Sequence, residues 1–434
     1  MKKLAVLAAA LLLAVTGCSS GSGGGGSAGS PADPSTVSGD ITVLTNRTDL
    51  VNDGTMARYA AQFNQIYPKV KVTFQGITDY EGEVKIRMNT DNYGDVLLIP
   101  NALKRDDFPK FFASLGRSAE LGQKYRFTAN GAVNNQIYGL AQNGNANGFV
   151  YNKAVWAQAG ITAWPTSSSQ FVSDLQAIKA KTTATPYYTN YHDGWPLTAW
   201  EAAVGSVSCD PKANDNLAGN HTPWAGGQEL NAIDSLLFTV VKTGLVEADP
   251  TTTNWENSKG LLATGKIATM WLGSWAVSQM QAAATKAGTD PAQIGFMPWP
   301  AQSGGTFCSV VGPDYLQGVS IHSAHKDAAR AWLDWFTDKS SYAQDSGDVP
   351  TLTSAPLPAT LKPYQDAGVR FVELSQDKAA VVNNIDNAAE IGLTKQDYRQ
   401  HIVDVARGGA SGSLDSIFAD LNKKWGDAVA TAGS

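Results

Sequence analysis

Polar side chains follow two apolar, strand-like runs near the start of the chain. Thr45 and Asn46 come directly after Ile41–Leu44, and Asn101 comes shortly after Leu97–Ile99. Ligands of open α/β sheets bind beyond the carboxyl ends of the strands, and hydroxyl and amide groups both donate and accept hydrogen bonds. The pattern therefore predicts contacts to a ligand rich in hydroxyl groups, although Asn is also common in ordinary turns.

A second candidate for this chemistry is the loop "NYHDGWP" (Asn190–Pro196). The Asp193 carboxylate can accept two hydrogen bonds from hydroxyls, and charge-assisted bonds are the stronger ones. The Trp195 indole offers an apolar face to the C–H side of a sugar ring. An Asp-Gly turn beside a packed tryptophan would explain the same residues without a ligand.

The third candidate is the tripeptide "GSW" at the end of an apolar run. Gly273 allows a close approach of the backbone to a ligand, Ser274 resembles a helix N-cap, and the Trp275 ring offers a large aromatic face to a ligand. Trp271, inside the apolar run, is expected in the core. Four further residues complete the predicted site, namely Tyr80, Asn143, Trp224 and Tyr315.

Other kinds of site are not expected. His322 and His325 have H-x-x-H spacing but no third ligand nearby, so a surface role is favoured over a metal site, and the five histidines follow no triad order. We predict no catalytic residues and no cofactor. The formal net charge of −6 gives no reason to expect a nucleic-acid partner.

The first residues predict export. Lys2 and Lys3 precede the apolar stretch Leu4–Val15, which is too short to span a bilayer. The sequence around Cys18 resembles the bacterial lipobox, which implies a signal peptide over residues 1–17 and a lipid on the Cys18 sulfur. Residues 18–38 are rich in Gly and Ser and predict a flexible tether.

The remaining chain is longer than one hydrophobic core usually covers, so two lobes are expected. Strand and helix patterns alternate, as in an open α/β sheet, and the last part is predominantly helical. The later cysteines, Cys209 and Cys308, are free to pair in an exported protein, but their spacing does not show whether they meet.

Several stretches, in the expected order, resemble the carbohydrate-type extracellular solute-binding proteins of ABC importers, the group that contains maltose-binding protein. They are "YAAQFNQIYPKVKVTF", "GDVLLIPN", "IYGLAQNGNANGFVYNK", "LLATGKIATMWLGSW" and "HKDAARAWLDWFTD". One departure is Thr269, where the family usually has Met.

The resemblance implies a periplasmic-binding-protein-like α/β fold with two lobes, a hinge and a ligand cleft between the lobes. The crossings between lobes would lie near Ala141–Ala146, Lys266–Met270 and Val319–Ser323. The first lobe would hold residues 39–142 and 271–321, and the second residues 143–270 and 322–434. Cys209 and Cys308 would then lie in different lobes, which argues against a bond between them.

The resemblance also implies a function: a lipid-anchored, monomeric binding protein on the outer face of the cell membrane. It would capture a sugar, with an oligosaccharide favoured, and deliver it to the permease of an ABC importer. The resemblance places Trp275 where the family stacks a sugar ring. One alternative is a secreted glycoside hydrolase, which needs two carboxylates facing each other across the sugar. Another is a structural lipoprotein, which has no reason for crossings between lobes.

Overall fold

The computed structural model describes residues 33–101 and 103–432. The strands, in chain order, are β1 (Gly39–Thr45), β2 (Val70–Gly76), β3 (Val96–Leu98), β4 (Gly116–Arg117), β5 (Ala132–Val133), β6 (Gln136–Ile137), β7 (Leu140–Ala141), β8 (Gly144–Asn152), β9 (Thr269–Gly273), β10 (Ile294–Met297), β11 (Gln302–Ser303), β12 (Thr306–Pro313), β13 (Leu316–Val319) and β14 (Arg370–Glu373).

The α-helices, in chain order, are α1 (Thr48–Asn52), α2 (Thr55–Asn64), α3 (Tyr80–Arg87), α4 (Phe108–Phe111), α5 (Ser118–Leu121), α6 (Lys153–Gln158), α7 (Ser168–Lys181), α8 (Trp195–Thr198), α9 (Ala213–Asn216), α10 (Glu229–Lys242), α11 (Trp255–Ala263), α12 (Trp275–Ala287), α13 (Lys326–Lys339), α14 (Tyr342–Ser346), α15 (Lys362–Asp366), α16 (Ala379–Ala389), α17 (Gln396–Arg407) and α18 (Leu414–Ala432).

The first lobe is built on a five-stranded sheet of order β2-β1-β3-β13-β7. β1 runs parallel to β2 and β3, whereas β13 runs antiparallel to β3 and β7. Helices α2 and α13 cover one face, because Phe63 and Trp332 point from them into the core with ring centres 5.3 Å apart. The carboxyl ends of β1, β3 and β7 and the start of β13 therefore meet at one edge of the sheet.

The second lobe is built around β8, which pairs with β9, β10 and β12 in antiparallel fashion, while β14 runs parallel to β12. Its core is aromatic: the Trp271 ring lies 4.9 Å from Phe149 and 5.3 Å from Trp299. Trp271 is 1% exposed, as expected of a core residue. The predominantly helical C-terminal part is present as α16, α17 and α18.

The strand pairing corrects the expected lobe boundaries. Residues 271–313 belong to the second lobe, because β9, β10 and β12 all hydrogen-bond to β8. Helix α13 belongs to the first lobe, since Trp332 packs against Phe74 of β2 with ring centres 5.4 Å apart. Of the three expected crossings, the one between β7 and β8 agrees with the sheet pairing. The other two connections lie at residues 314–315 and between α14 and α15.

The start of the folded part also differs from expectation. Val37 is 5% exposed and belongs to the core of the first lobe, so residues 37–38 are not part of a free tether. The predicted signal peptide, Cys18 and the Gly/Ser-rich residues lie outside the described residues. Within the described ranges, no helix combines the length and the apolar character that crossing a bilayer requires.

Cys209 and Cys308 form a disulfide within the second lobe, with Cα atoms 5.6 Å apart. The expectation that they lie in different lobes is therefore wrong, and its cause is the misplaced boundary: Cys308 is on β12. The bond joins the loop before α9 to this strand and leaves the crossings between lobes unconstrained.

Candidate functional site

A cavity of about 780 Å³ lies between the two lobes. The first lobe, the second lobe and the crossings all contribute to its walls. The lining residues are Arg47, Asp49, Leu50, Thr55, Arg58, Tyr59, Asn143, Asn145, Trp275, Ser278, Gln279, Asp314, Tyr342, Asp345, Ser346 and Asp348.

The first-lobe wall presents a fixed guanidinium group. The Arg47 guanidinium donates two hydrogen bonds to the Asp49 carboxylate, with Nε···Oδ1 2.9 Å and Nη2···Oδ2 2.7 Å. Its Nη1 donates to the Tyr342 hydroxyl at 3.1 Å. Burial alone would lower the pKa of Arg47. These bonds outweigh that effect and raise the pKa above its ordinary value, so Arg47 stays charged. Arginine has five N–H donors, so two remain for a ligand.

The crossings meet at a buried carboxyl group. Asp348 is 4% exposed and accepts hydrogen bonds from Asn143 Nδ2 at 2.6 Å and from Ser274 Oγ at 3.2 Å. Burial and, to a smaller extent, the charge of Asp314 raise the Asp348 pKa, while the hydrogen bonds and Arg47 lower it, and the result is a pKa of about 7. One residue thus joins the β7–β8 crossing to the second lobe.

Two amide oxygens on the cavity wall have no partner. They are Oδ1 of Asn143, in the β7–β8 crossing, and Oδ1 of Asn145, at the start of β8. A buried acceptor without a hydrogen bond is costly. A ligand hydroxyl that donates to either oxygen would remove this cost.

The second-lobe wall is aromatic. The half-buried Trp275 ring lines the cavity and contacts two other half-buried indoles, Trp195 and Trp255, with ring centres 5.9 and 5.5 Å away. Gly273 leaves room for the Trp275 ring rather than for a ligand, because a Cβ at this position would lie 2.5 Å from Trp275 Nε1. The wall offers flat apolar surface opposite polar groups.

The structure brings part of the predicted site together. Asn143 and Trp275 line the cavity, and Ser274 is bonded to its floor through Asp348. Ser274 occupies the N-cap position of α12 but makes no capping hydrogen bond with its side chain, so its expected capping role is wrong. Trp195 contacts Trp275 from beyond the cavity.

Asp193 has a different partner from the one expected. Its Oδ2 accepts the backbone N–H of Trp255 at the start of α11. This bond occupies one of the two oxygens that were expected to accept hydroxyls, and it ties the loop that carries Trp195 to the neighbouring helix.

The predicted residues of the first lobe lie at the cleft edge of the sheet but outside the cavity lining. Thr45 is 3% exposed, and its Oγ1 accepts the N–H of Arg47. Asn46 follows it directly in the chain. Asn101 is exposed, and its N–H and the Tyr315 hydroxyl both donate to Glu81 Oε1, at 3.1 and 3.0 Å. 

Tyr80 and Trp224 are core residues instead. Tyr80 is 4% exposed, and its hydroxyl donates to the Leu98 carbonyl at 3.1 Å. Trp224 is 1% exposed, and its indole N–H lies 2.8 Å from both Asp234 Oδ2 and the Tyr398 hydroxyl. Trp224 is satisfied deep in the helical layer of the second lobe, so its assignment to the ligand site is wrong.

Sequence reasoning missed most of the charged lining. Arg47 directly follows the predicted Asn46. The same rule that pointed to Asn46, that ligands bind beyond the carboxyl ends of strands, could have found Arg47. Asp314 and Asp348 lie on connections whose sequence has no helix or strand pattern and no motif. Trp255 is the first residue of α11, after the N-cap Asn254, and nothing in its local sequence indicates a ligand. Within the described residues, no three His, Cys, Asp or Glu side chains are grouped to hold a metal ion.

Comparison with known proteins identifies the family. The sequence profile of the bacterial extracellular solute-binding proteins matches residues 48–343. This chain belongs to that family. As a solute-binding protein of an extracellular family it is exported, and the family and the similar structures are substrate-binding proteins rather than enzymes. The hydrolase alternative therefore has no support.

Two solved structures resemble this solute-binding protein over nearly its whole length. One is a manno-oligosaccharide-specific solute-binding protein from Bifidobacterium animalis subsp. lactis, solved with mannotriose, at 29% identity and a TM-score of 0.81. The other, from the same subspecies, is a binding protein of an ABC transporter solved with mannobiose, at 30% identity and a TM-score of 0.80. In both cases 92% of this chain and 96% of the other are covered.

A more distant structure shares the fold alone. RafE from Streptococcus pneumoniae is 18% identical with a TM-score of 0.69, and the match covers 91% of this chain and 98% of that one. No curated protein sequence matches this solute-binding protein.

Proposed function

We propose that this solute-binding protein captures manno-oligosaccharides and delivers them to the membrane permease of an ABC importer. The observation that carries the proposal is the interlobe cavity, in which the Trp275 indole of one lobe and the Arg47 guanidinium of the other line the same space. The two relatives solved with mannotriose and mannobiose, at 29% and 30% identity, support the sugar class.

The chemistry of the walls suits a neutral sugar. A pyranose has an apolar C–H face and a rim of hydroxyls, so the ring would stack on Trp275 while its hydroxyls reach the polar groups. The free Arg47 N–H groups are donors, and the unpaired oxygens of Asn143 and Asn145 are acceptors. Asp314 supplies a charge-assisted acceptor.

Capture would close the lobes on the ligand. The cavity walls come from both lobes, and the connections between them run through residues 142–143, residues 314–315 and the segment between α14 and α15. Movement at a few such connecting residues is how two-domain binding proteins close. The disulfide lies within one lobe and does not oppose it.

The N-terminal residues supply the proposed anchor. The lipobox-like sequence ending at Cys18 suggests a diacylglycerol on this sulfur, and two acyl chains hold a protein stably on a membrane. The protein would then act as a monomer at the outer face of the cell membrane. Membrane fractionation of Cys18→Ser after a high-salt wash is the test, and a variant that stays with the membrane overturns the lipid anchor.

Calorimetry with purified sugars tests the ligand class. We expect reversible binding of mannobiose and mannotriose without cleavage products, and much weaker binding of raffinose. Arg47→Met is the matched variant, because it keeps a long side chain but removes the donors; it should weaken mannotriose binding at least tenfold. Tighter binding of raffinose than of either mannoside would contradict the proposed class, and binding of no saccharide would contradict sugar capture.

A further inference from the structure

A second cavity, far smaller than the ligand cavity, lies inside the first lobe between the sheet and helices α2 and α13. Its volume is about 10 Å³, which is close to the smallest space that holds one water molecule. Most of its lining side chains are apolar. Those that carry a polar group are Thr45, Gln142, Gln317 and Trp332. The chemistry of the cavity is therefore set by these four groups.

Two of these groups are hydrogen-bond donors without an acceptor. Gln317 is 3% exposed and Trp332 is 1% exposed, and neither Gln317 Nε2 nor Trp332 Nε1 has an acceptor among the described residues. Because an indole N–H and an amide NH₂ only donate, the two nitrogen atoms cannot satisfy each other. A buried donor without a partner costs stability. One occupant that accepts hydrogen bonds from both would remove this cost twice.

The other two groups can accept hydrogen bonds. Thr45 Oγ1 accepts the backbone N–H of Arg47 at 3.1 Å and, as a hydroxyl oxygen, has a second lone pair. The Gln142 side chain is buried, and its amide oxygen is a further acceptor. The occupant of the cavity must therefore accept two hydrogen bonds and be able to donate others.

Water meets these demands in the space available. It accepts two hydrogen bonds and donates two, and a buried water in a protein typically makes about three. An ammonium ion has no lone pair for the two donors. A buried anion would need a compensating charge, and no Lys, Arg or His is found among the described residues that line the cavity.

The cavity lies beneath the sheet edge that carries the ligand site. Thr45 ends β1 two residues before Arg47, and Gln142 directly precedes the crossing residue Asn143. Trp332 comes from α13, which covers the face of the sheet. An occupant bonded to all four polar groups would tie this helix to two strand ends, and each strand end is followed by a residue of the ligand cavity.

We propose that this cavity binds one structural water molecule, which accepts hydrogen bonds from Gln317 Nε2 and Trp332 Nε1. The water donates its own two hydrogen atoms to Thr45 Oγ1 and to the Gln142 amide oxygen. It thereby links α13 to the ends of β1 and β7. Since Thr45 also holds the backbone N–H of Arg47, the water supports the turn that presents the guanidinium group to the ligand cavity.

A high-resolution crystal structure of the ligand-free protein tests the site directly. We expect one electron-density peak at about 2.7–3.2 Å from both Gln317 Nε2 and Trp332 Nε1. A map without a peak in the cavity overturns the proposal. A direct hydrogen bond from Trp332 Nε1 to the oxygen of a reversed Gln317 amide overturns it as well.

Matched variants test the two donors. A double variant with Gln317→Met and Trp332→Phe keeps both side chains large but removes both N–H groups, so it should lose the peak. Trp335→Phe, which removes an indole N–H on the same helix outside the cavity, is the control and should keep it. A peak of wild-type height in the double variant overturns the assigned contacts. Should the double variant fail to fold, Trp332→Phe alone replaces it, with a weaker peak expected and an unchanged peak as the contrary result.

Amide hydrogen exchange, resolved by NMR, tests the link to Arg47. The Arg47 N–H should exchange with solvent faster in the double variant than in wild type, because Thr45 Oγ1 has lost a partner that fixes it, and Trp335→Phe should leave the rate unchanged. Equal rates in all three proteins overturn the supporting role of the water. None of these measurements depends on a sugar, so they test the water site separately from the proposed function.

Discussion

At the scale of single residues, Asp348 couples the ligand cavity to pH. Its carboxyl group has an ordinary pKa of 3.8, which burial and Asp314 raise to about 7 in the folded protein. Between these values the folded state keeps a proton that the unfolded chain has released. The stability due to this proton is full below about pH 4 and is lost as the pH rises through 7.

Asp348→Asn should remove this dependence. The amide keeps the shape and an acceptor for Asn143 but carries no charge, so the variant should match wild type below about pH 4 and become increasingly more stable than wild type as the pH rises to 8. One pKa unit corresponds to about 1.4 kcal/mol, so the difference should amount to several kcal/mol. Thermal melts across this range measure it; Asp366→Asn, at an exposed carboxylate on α15, is the control, and parallel curves for wild type and Asp348→Asn refute the prediction.

The two tryptophans on either side of Gly273 should respond differently to truncation. Trp275→Ala should weaken binding of the cognate sugar by about 2 kcal/mol or more, because the ring lines the cavity. Trp271→Ala should instead destabilise the fold by about 3–5 kcal/mol, since it empties a buried site. Calorimetry and denaturant unfolding separate the effects, and unchanged sugar affinity in Trp275→Ala would show that the ligand lies elsewhere.

At the scale of elements, a buried ion pair joins α17 to α10. The Arg399 guanidinium, fully buried, donates to Asp234 Oδ1 at 3.0 Å and to Glu201 Oε2 at 3.2 Å. Removing one partner of a buried pair leaves a charge unpaired and costs about 3–5 kcal/mol. α17 also contacts the loop before α8, because Gln400 Nε2 donates to the Tyr191 carbonyl at 2.8 Å.

Arg399→Ala should therefore lower the melting temperature markedly. The matched control is Lys423→Ala, which breaks an exposed pair with Asp427 on α18 and should cost less than about 1 kcal/mol. Melting curves of both variants at equal pH and salt make the comparison. A drop of the same size in both would mean that the buried pair contributes no more than a surface one.

The local sequence pattern predicts most helices and strands, but it does not predict which strands pair with each other. Alternation in "VKVTFQG" predicts β2, and the apolar run before Asn101 predicts β3, because these signals lie within a few residues. The strand β9 is buried along its whole length, and its residue pattern would fit either sheet. Its true neighbour, β8, is far away in sequence, so the lobe boundary was misplaced.

The same limit explains the errors in the site. The local sequence around a tryptophan does not show whether its ring faces a ligand or the core. Trp224 lies in the core, where its indole N–H contacts Asp234 and Tyr398, and only the tertiary fold brings these residues near. Asp348 lies in a connection without periodicity, and its importance comes from Asn143 and Ser274. The role of such a residue depends on partners that are far away in sequence, so the neighbouring residues alone do not predict it.

At the scale of the whole molecule, ligand should both compact and stabilise the protein. Closure brings the lobes together, and a ligand that binds only the folded state adds about 2.7 kcal/mol at a hundredfold excess over Kd. Small-angle scattering and thermal melts with and without saturating mannotriose measure the two effects. An unchanged radius of gyration together with a raised melting temperature would indicate a rigid site without lobe closure.

The order of strands in the first sheet has a consequence for secretion. β13 lies between β3 and β7, so the sheet is incomplete until Leu316–Val319 has emerged, and α13 must follow to cover its face. We therefore expect the amino-terminal lobe to lack a central strand and its covering helix while the chain is still being threaded through the membrane. Late completion of this sheet would help the polypeptide to stay unfolded until most of it has crossed.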